Sequence, residues 1–182
     1  LRPLADPLTS AAPLLAPGLG VAVAFRAGLF NIGGRGQMLV AAGAAGYVGF
    51  AWPLPFGIHL IVAVAMGMLA GAIWGGIVMG LVAIPYAYYL IAFLLRTPVA
   101  LQAPGSTNPK SPVMLPTAVF PELFGPKYNL HLGFLFAIAA TIWVWYLINR
   151  SNLGFQFRAV GENPNAARVA GMNVKNIYVY AM

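Results

Sequence analysis

Asp6, Glu122 and Glu162 are the only acidic residues in this 182-residue sequence, His59 and His131 its only histidines, and it contains no cysteine. Acid–base, nucleophilic and metal chemistry need such groups in clusters. Here the acids fall outside the apolar runs, and each histidine stands alone at the edge of one. No G-x-x-x-x-G-K-[ST] phosphate loop occurs either. The sequence therefore carries no catalytic constellation, no metal site and no cofactor motif, and the histidines read as interfacial side chains rather than ligands. Two stretches keep a density of hydrogen-bonding groups and glycines: GLFNIGGRGQMLVAAGAAGYVG (28–49) and GFQFRAVGENPNAARVAGMNVKN (154–176).

The elements that position these stretches are apolar. Hydrophobic residues make up 60% of the chain and charged residues 7%, with a mean hydropathy of +0.81. Soluble domains carry roughly 25% charged residues, so this inventory supplies no water-solvated surface. The expected fold class is an all-α, polytopic transmembrane helix bundle. The net charge of +7 sits between the apolar runs. That is the Lys/Arg excess of cytoplasmic loops, not a nucleic-acid surface.

A membrane-spanning helix needs ~20 apolar residues. The first run, Ala11 to Phe25, is short and holds Pro13 and Pro17; a second covers Met38 to Trp52 and ends at the turn Pro53-Leu54-Pro55. From Gly57 to Leu95 apolarity barely stops. A single helix there would be about 58 Å long, nearly twice the hydrocarbon core, so the run divides, with Pro85 as the break. Its second part, 86–95, is too short to span, which points to missing residues near 84–86. Leu132 to Ile148 is the clearest span, with Trp143, Trp145 and Tyr146 at one end as interface anchors. A further span starts at Ile177. The expected organisation is one transmembrane domain over 1–182, part of a longer chain, with short or broken helices near the glycine-rich motif.

Two long connections remain. Residues 96–131 hold seven prolines and too little unbroken apolarity to cross. Residues 149–176 hold Arg150, Arg158, Arg168 and Lys175 against Glu162 alone. By the positive-inside rule 149–176 is cytoplasmic and the Pro-rich loop extracytoplasmic. Gly67-xxx-Gly71 and Gly71-xxx-Gly75 allow close approach between helices.

Within 149–176 a short helix is spelled out. Asn163 suits the N-cap, Pro164 the first helical position and Gly171 the stop. About two turns result, with Ala166, Ala167 and Ala170 close together and Arg168 off that face. So small a helix is unstable alone; it either docks in a partner's groove or merely connects two spans. In 28–49 the glycines, Asn31 and Gln37 interrupt apolar sequence. Such breaks are tolerated where backbone is buried in protein or lines a wet cavity, or the stretch is an interfacial glycine turn.

The pattern G-x-x-F-R-A-V-G-E-N-P-x-A-A-R-x-A-G-M-x-V resembles the cytoplasmic loop of ABC importer permeases of the simple sugar/nucleoside (branched-chain amino acid/ribose-type) family. It is most similar to the nucleoside branch paired with basic-membrane-lipoprotein binding proteins. The resemblance implies that Arg158, Gly161, Glu162, Asn163, Ala166, Ala167 and Gly171 form a coupling helix and its support, seated on a separate ATPase subunit. FNIGGRGQ resembles the F-N-I-G-x-E-G-Q signature beside the translocation path, which implies substrate-pathway roles for Asn31, Gly33, Gly36 and Gln37. Arg35 replaces the usual Glu, reversing the charge, and inherits no role.

What the resemblance implies is a non-catalytic permease subunit of an ATP-driven importer in the inner (plasma) membrane, translocating nucleosides by alternating access. Its partners would be the ATPase, a second permease chain (homologous or identical), an extracytoplasmic substrate-binding lipoprotein and the lipid bilayer, with no nucleic acid. A ribose or other simple-sugar permease is the alternative, although sugar permeases usually carry an Asp-Leu-Ser type stretch at Asn31-Ile32-Gly33. An ion-coupled transporter would use intramembrane acids, and none lies within an apolar run.

Overall fold

The structure is a computed structural model describing residues 2–77, 82–98, 100–125 and 130–182, with side chains from Ala5 onward. Its elements are α1 (Arg2–Arg26), α2 (Gly34–Ala51), α3 (Ile58–Ile77), α4 (Ala83–Leu94), a 3₁₀ turn (Pro116–Ala118), α5 (Gly133–Arg150), α6 (Asn152–Glu162), α7 (Pro164–Val169) and α8 (Val174–Ala181). Among the described residues the only β-pairing is the isolated bridge Glu122–His131. The all-α class read from composition is what forms. Ala5–Arg26, Ile58–Ile77 and Gly133–Arg150 are long and apolar enough to cross a membrane. Those helices leave large side chains such as Leu14, Met68, Ile142 and Trp143 exposed, as a lipid-facing surface requires.

The helices differ from the sequence reading in instructive places. The first is longer than the run from Ala11, reaching back to Arg2 and continuing through Pro7, Pro13 and Pro17. Proline removes one backbone bond each time but leaves the rest of a spanning helix intact. Pro85 falls in the first turn of α4, where no intrahelical N–H is needed. The shortfall expected near 84–86 borders residues 78–81, which lie outside the described residues, as do Val99 and 126–129 of the Pro-rich loop. Helix α6 is an addition: the sequence reading saw a polar connection there.

The chain packs as two compact units, Leu1–Asn31 with Pro121–Met182, and Ile32–Phe120. In the first, α1 packs against α5. A core of Ala27, Phe157, Val160, Ala167, Val174, Ile177 and Ala181 gathers α6, α7 and α8 beneath the end of α1. The span α5 separates the last residues of the Pro-rich loop from 152–176, so these two connections leave opposite ends of one membrane-length helix.

In the second unit, α2 and α3 meet along small residues. A Cβ on Gly67 would stand 3.2 Å from the Ala41 carbonyl oxygen, and one on Gly71 3.4 Å from Ala41 Cβ. Two of the glycines expected to allow close approach therefore sit at the α2 face. The Pro-rich loop returns to this unit: Leu115 N–H donates to Gly49 O at 2.9 Å. His59, fully buried, donates from Nε2 to Val48 O at 3.0 Å and pairs through Nδ1 with Thr117 Oγ1 at 2.7 Å. A carbonyl only accepts, so Nε2 carries a proton in this pairing. The expected interfacial histidine is thus a buried fastener of the loop.

Replacing His59 by Ala leaves Val48 O and Thr117 without this partner, at a cost of about 1–3 kcal/mol. The expected result is faster proteolysis within 103–120 in the purified permease, compared with the unaltered protein, while His59→Gln gives a smaller increase.

Candidate functional sites

Helix α5 ends and α6 begins across one residue. Ser151 is extended, and its Oγ donates to Leu147 O and accepts from Gly154 N–H at 3.0 Å. So sharp a reversal presses the first turn of α6 onto the carbonyl end of α5. A Cβ at Gly154 would overlap the Leu147 and Ile148 carbonyl oxygens. Arg158, one turn further along the same face, donates from Nη1 to Ile148 O. A cation at a helix C-terminus meets both its orphan carbonyls and its dipole.

The face continues. Positions 154, 157, 158 and 161 are spaced i, i+3, i+4 and i+7, one stripe of a helix. Phe157 enters the core. A Cβ on Gly161 would overlap Arg26 O and stand 3.1 Å from Gly28 N. The glycines, phenylalanine and arginine of G-x-x-F-R-A-V-G therefore form the inward side of α6, fitted to the C-terminal ends of two other helices.

Asn163 then stops α6 and starts α7. Its Oδ1 accepts from the N–H groups of Asn165 and Ala166, both at 3.0 Å, with Pro164 next in sequence as the first helical residue. At the other end Gly171 adopts φ +84°. Its N–H donates to Arg168 O, and Met172 N–H donates to Ala167 O, both at 3.0 Å. That pair of bonds is a Schellman stop, and Met172 packs on the core beside Ala167. The start and stop signals read from the sequence operate as expected.

The alanine face does not stay together. Ala167 is 4% exposed and belongs to the core, whereas Ala166 and Ala170 are exposed. With α6 and α8 packed beneath it, a six-residue helix needs one inward anchor, and Ala167 is that anchor. Of the seven residues singled out here, Glu162, Asn163, Ala166 and Gly171 face outward; Gly161 and Arg158 are half-buried and Ala167 is buried. Val169 was not singled out, yet it is 90% exposed. A β-branched apolar residue set among Asn165, Arg168 and the exposed Ala170 gives no period that would have flagged it.

The glycine-rich stretch divides between the two units. Asn31, 9% exposed, ends the first; Gly33, Gly36 and Gln37 belong to the second. In the first unit, α1 finishes in another Schellman stop. Gly28 has φ +75°, Gly28 N–H donates to Phe25 O at 3.1 Å and Leu29 N–H to Ala24 O at 2.9 Å. Because α1 is 25 residues long, roughly 37 Å at 1.5 Å per residue, the break after it stands at one end of a full crossing. In the second unit, Gly33 and Gly36 are buried and Gln37 half-buried. A Cβ on Gly36 would stand 2.6 Å from Ala83 O, so Gly36 fixes how closely α2 approaches α4. Arg35 Nη2 donates to Tyr88 Oη at 2.7 Å, and its guanidinium lies 5.5 Å from that ring centre. Arg35 thus has a partner within its own unit. Among the described residues no group of three or more His, Cys, Asp or Glu side chains is placed to hold a metal.

A six-residue cap-and-stop helix thus stands on a glycine-fitted base that follows the membrane-length helix α5. Residues 4–182 match the family described as branched-chain amino acid transport system / permease component. The chain belongs to that permease family. It is 38% identical to a guanosine ABC transporter permease protein of Bacillus subtilis, over 91% of this chain and 51% of the relative. It is 32% identical to a glucose ABC transporter permease protein of Haloferax volcanii, over 97% and 52%. A nucleoside ABC transporter permease protein of Lactococcus lactis is 24% identical, over 100% and 55%. The chain spans about half the length of these relatives. No solved structure matches it significantly.

The fitted base makes a sharp contrast among glycines. Gly154→Ala forces a methyl into two carbonyl oxygens and should abolish accumulation of folded permease, while Gly20→Ala, which meets nothing within 4 Å, should leave it unchanged. Membrane-fraction yield and detergent unfolding midpoint measure both. Arg158→Ala should cost about 1–3 kcal/mol through the unsatisfied Ile148 carbonyl, and Arg158→Lys less.

Proposed function

We propose that this chain is part of the membrane-spanning permease of an ATP-driven importer for nucleosides. The carrying observation is α7. Its ends are fixed by Asn163 and Gly171, its inner side by Ala167, and its outer side offers Ala166, Val169 and Ala170. An apolar side chain left 90% exposed on a helix otherwise so fully secured fits a groove on another protein. That partner is the ATPase subunit, and 149–176 is then cytoplasmic. The Pro-rich loop, at the other end of α5, faces an extracytoplasmic substrate-binding lipoprotein in the inner (plasma) membrane setting.

A second permease chain, identical or homologous, completes the pathway. ATP hydrolysis moves the permease between inward- and outward-open states, and a ligand shifts that equilibrium only through unequal affinity for the two. Asn31 and Gln37 offer amide donors and acceptors suited to the neutral hydroxyls and base edges of a nucleoside. Support for nucleosides over sugars comes from FNIGGRGQ and from the guanosine and nucleoside permeases among the relatives; a glucose permease stands among them as well.

In vesicles holding the full-length permease, its ATPase and its binding protein, ATP-dependent uptake of labelled guanosine should be competed by unlabelled nucleosides and not by glucose or ribose. Competition by sugars alone would move the substrate to the sugar branch. Val169→Asp and Ala170→Glu should leave the permease folded and reduce its co-purification with the ATPase by roughly ten-fold or more, as a charge buried without a partner at an interface does. Undiminished co-purification and uptake in both variants would contradict the docking role.

A further inference from the structure

The surface of α7 and the segment carrying Asn31 are joined by one backbone contact. Gly161 ends the inward stripe of α6, two residues before the Asn163 that caps α7. Gly28 is the left-handed stop of α1, three residues before Asn31. An added Cβ on Gly28 would stand 3.2 Å from Gly161 Cα and 3.4 Å from Gly161 O, and one on Gly161 would overlap Arg26 O. Both residues are therefore glycine for the same reason: two main chains touch with no side chain between them. The surrounding core is continuous with the contact. Ala27, next to Gly28, and Val160, next to Gly161, are both fully buried in the cluster that also holds Ala167 of α7.

We infer that the Gly28–Gly161 contact is the link through which movement of the α7 surface reaches the segment leading to Asn31, making these two glycines positioning residues for transport. The inference rests on the coupling role proposed above. Side-chain contacts absorb small displacements by changing rotamer, but a backbone-to-backbone contact has no such slack. A shift of α6 must shift the end of α1 or break the contact. Gly28 suits the receiving side because a glycine at φ +75° changes its dihedrals at little steric cost. Ala27 and Val160 hold the two chains in register, while Ala167 ties α7 to the same cluster. Displacement of α7 by the ATPase thus arrives at residues 28–31 as backbone movement. There it opens or closes the end of the pathway on the ATPase side.

The test uses Gly161→Ala and Gly28→Asn in the full-length transporter with its ATPase and binding protein. Asparagine tolerates the left-handed conformation, so Gly28→Asn adds side-chain bulk at the contact with little backbone strain, and it carries the test if Gly161→Ala does not accumulate. Gly20→Ala is the control. The expected result is an ATPase that still co-purifies and still hydrolyses ATP at the basal rate. Binding-protein-stimulated hydrolysis is lost and guanosine uptake falls roughly ten-fold, within the span of ordinary coupling energies. A merely structural role would lower the unfolding midpoint and all activities together. Uptake and stimulation within about two-fold of the unaltered transporter, well inside that span, would overturn the inference. So would loss of the ATPase from the complex, because the contact would then only shape the docking surface. Val169→Asp and Ala170→Glu are read in parallel: if they release the ATPase while Gly161→Ala and Gly28→Asn change nothing, the docking reading stands and the link fails; if they change nothing, the docking reading fails and the link falls with it.

Discussion

Backbone meeting backbone at the end of a helix is the constraint on which the first unit depends. Helix C-termini leave carbonyl oxygens without intrahelical donors, and two such ends, those of α1 and α5, converge on α6. Only glycine at 154 and 161 lets the α6 backbone approach them, and Arg158 supplies a donor to the Ile148 carbonyl at the α5 end. Everything beyond follows from that seat. With α6 fixed, Asn163 turns the chain, Ala167 finds the core and the outer side of α7 is left exposed.

This arrangement separates support from presentation. The glycines, arginine and phenylalanine that give the pattern of 154–161 its recognisable spacing are largely inward-facing, and the exposed side of α7 is made of less distinctive residues. Family resemblance picks out the inward scaffold more readily than the exposed side of α7. Ala167 lies on the boundary: its small size lets α7 lie close on Phe157, Val160 and Ile177, so a large substitution there reports on folding before it reports on docking.

Much of this was legible in the sequence where one residue type has one physical use. The Asn163-Pro164 start and the Gly171 stop were readable because caps and left-handed stops are local. So was the α2–α3 approach at Gly67 and Gly71. Helix α6 was not, because its decisive residues are glycines whose partners, Leu147, Ile148 and Arg26, are set by tertiary packing. His59 was read as interfacial because nothing local announces that Thr117, fifty-eight residues on, returns to meet it. The exposure of Val169 likewise depends on which side of α7 the core takes, and three neighbouring alanines do not decide that.

Covalent capture at α7 tests the central claim most directly. A photo-reactive amino acid at position 169 of the full-length permease, illuminated in membranes containing its ATPase, should yield a permease–ATPase product whose amount changes on adding ATP. The same group at Ile142, exposed on α5, should yield none. Absence of any ATPase product from position 169, with the transporter assembled and active, would contradict the assignment of this surface as the ATPase seat.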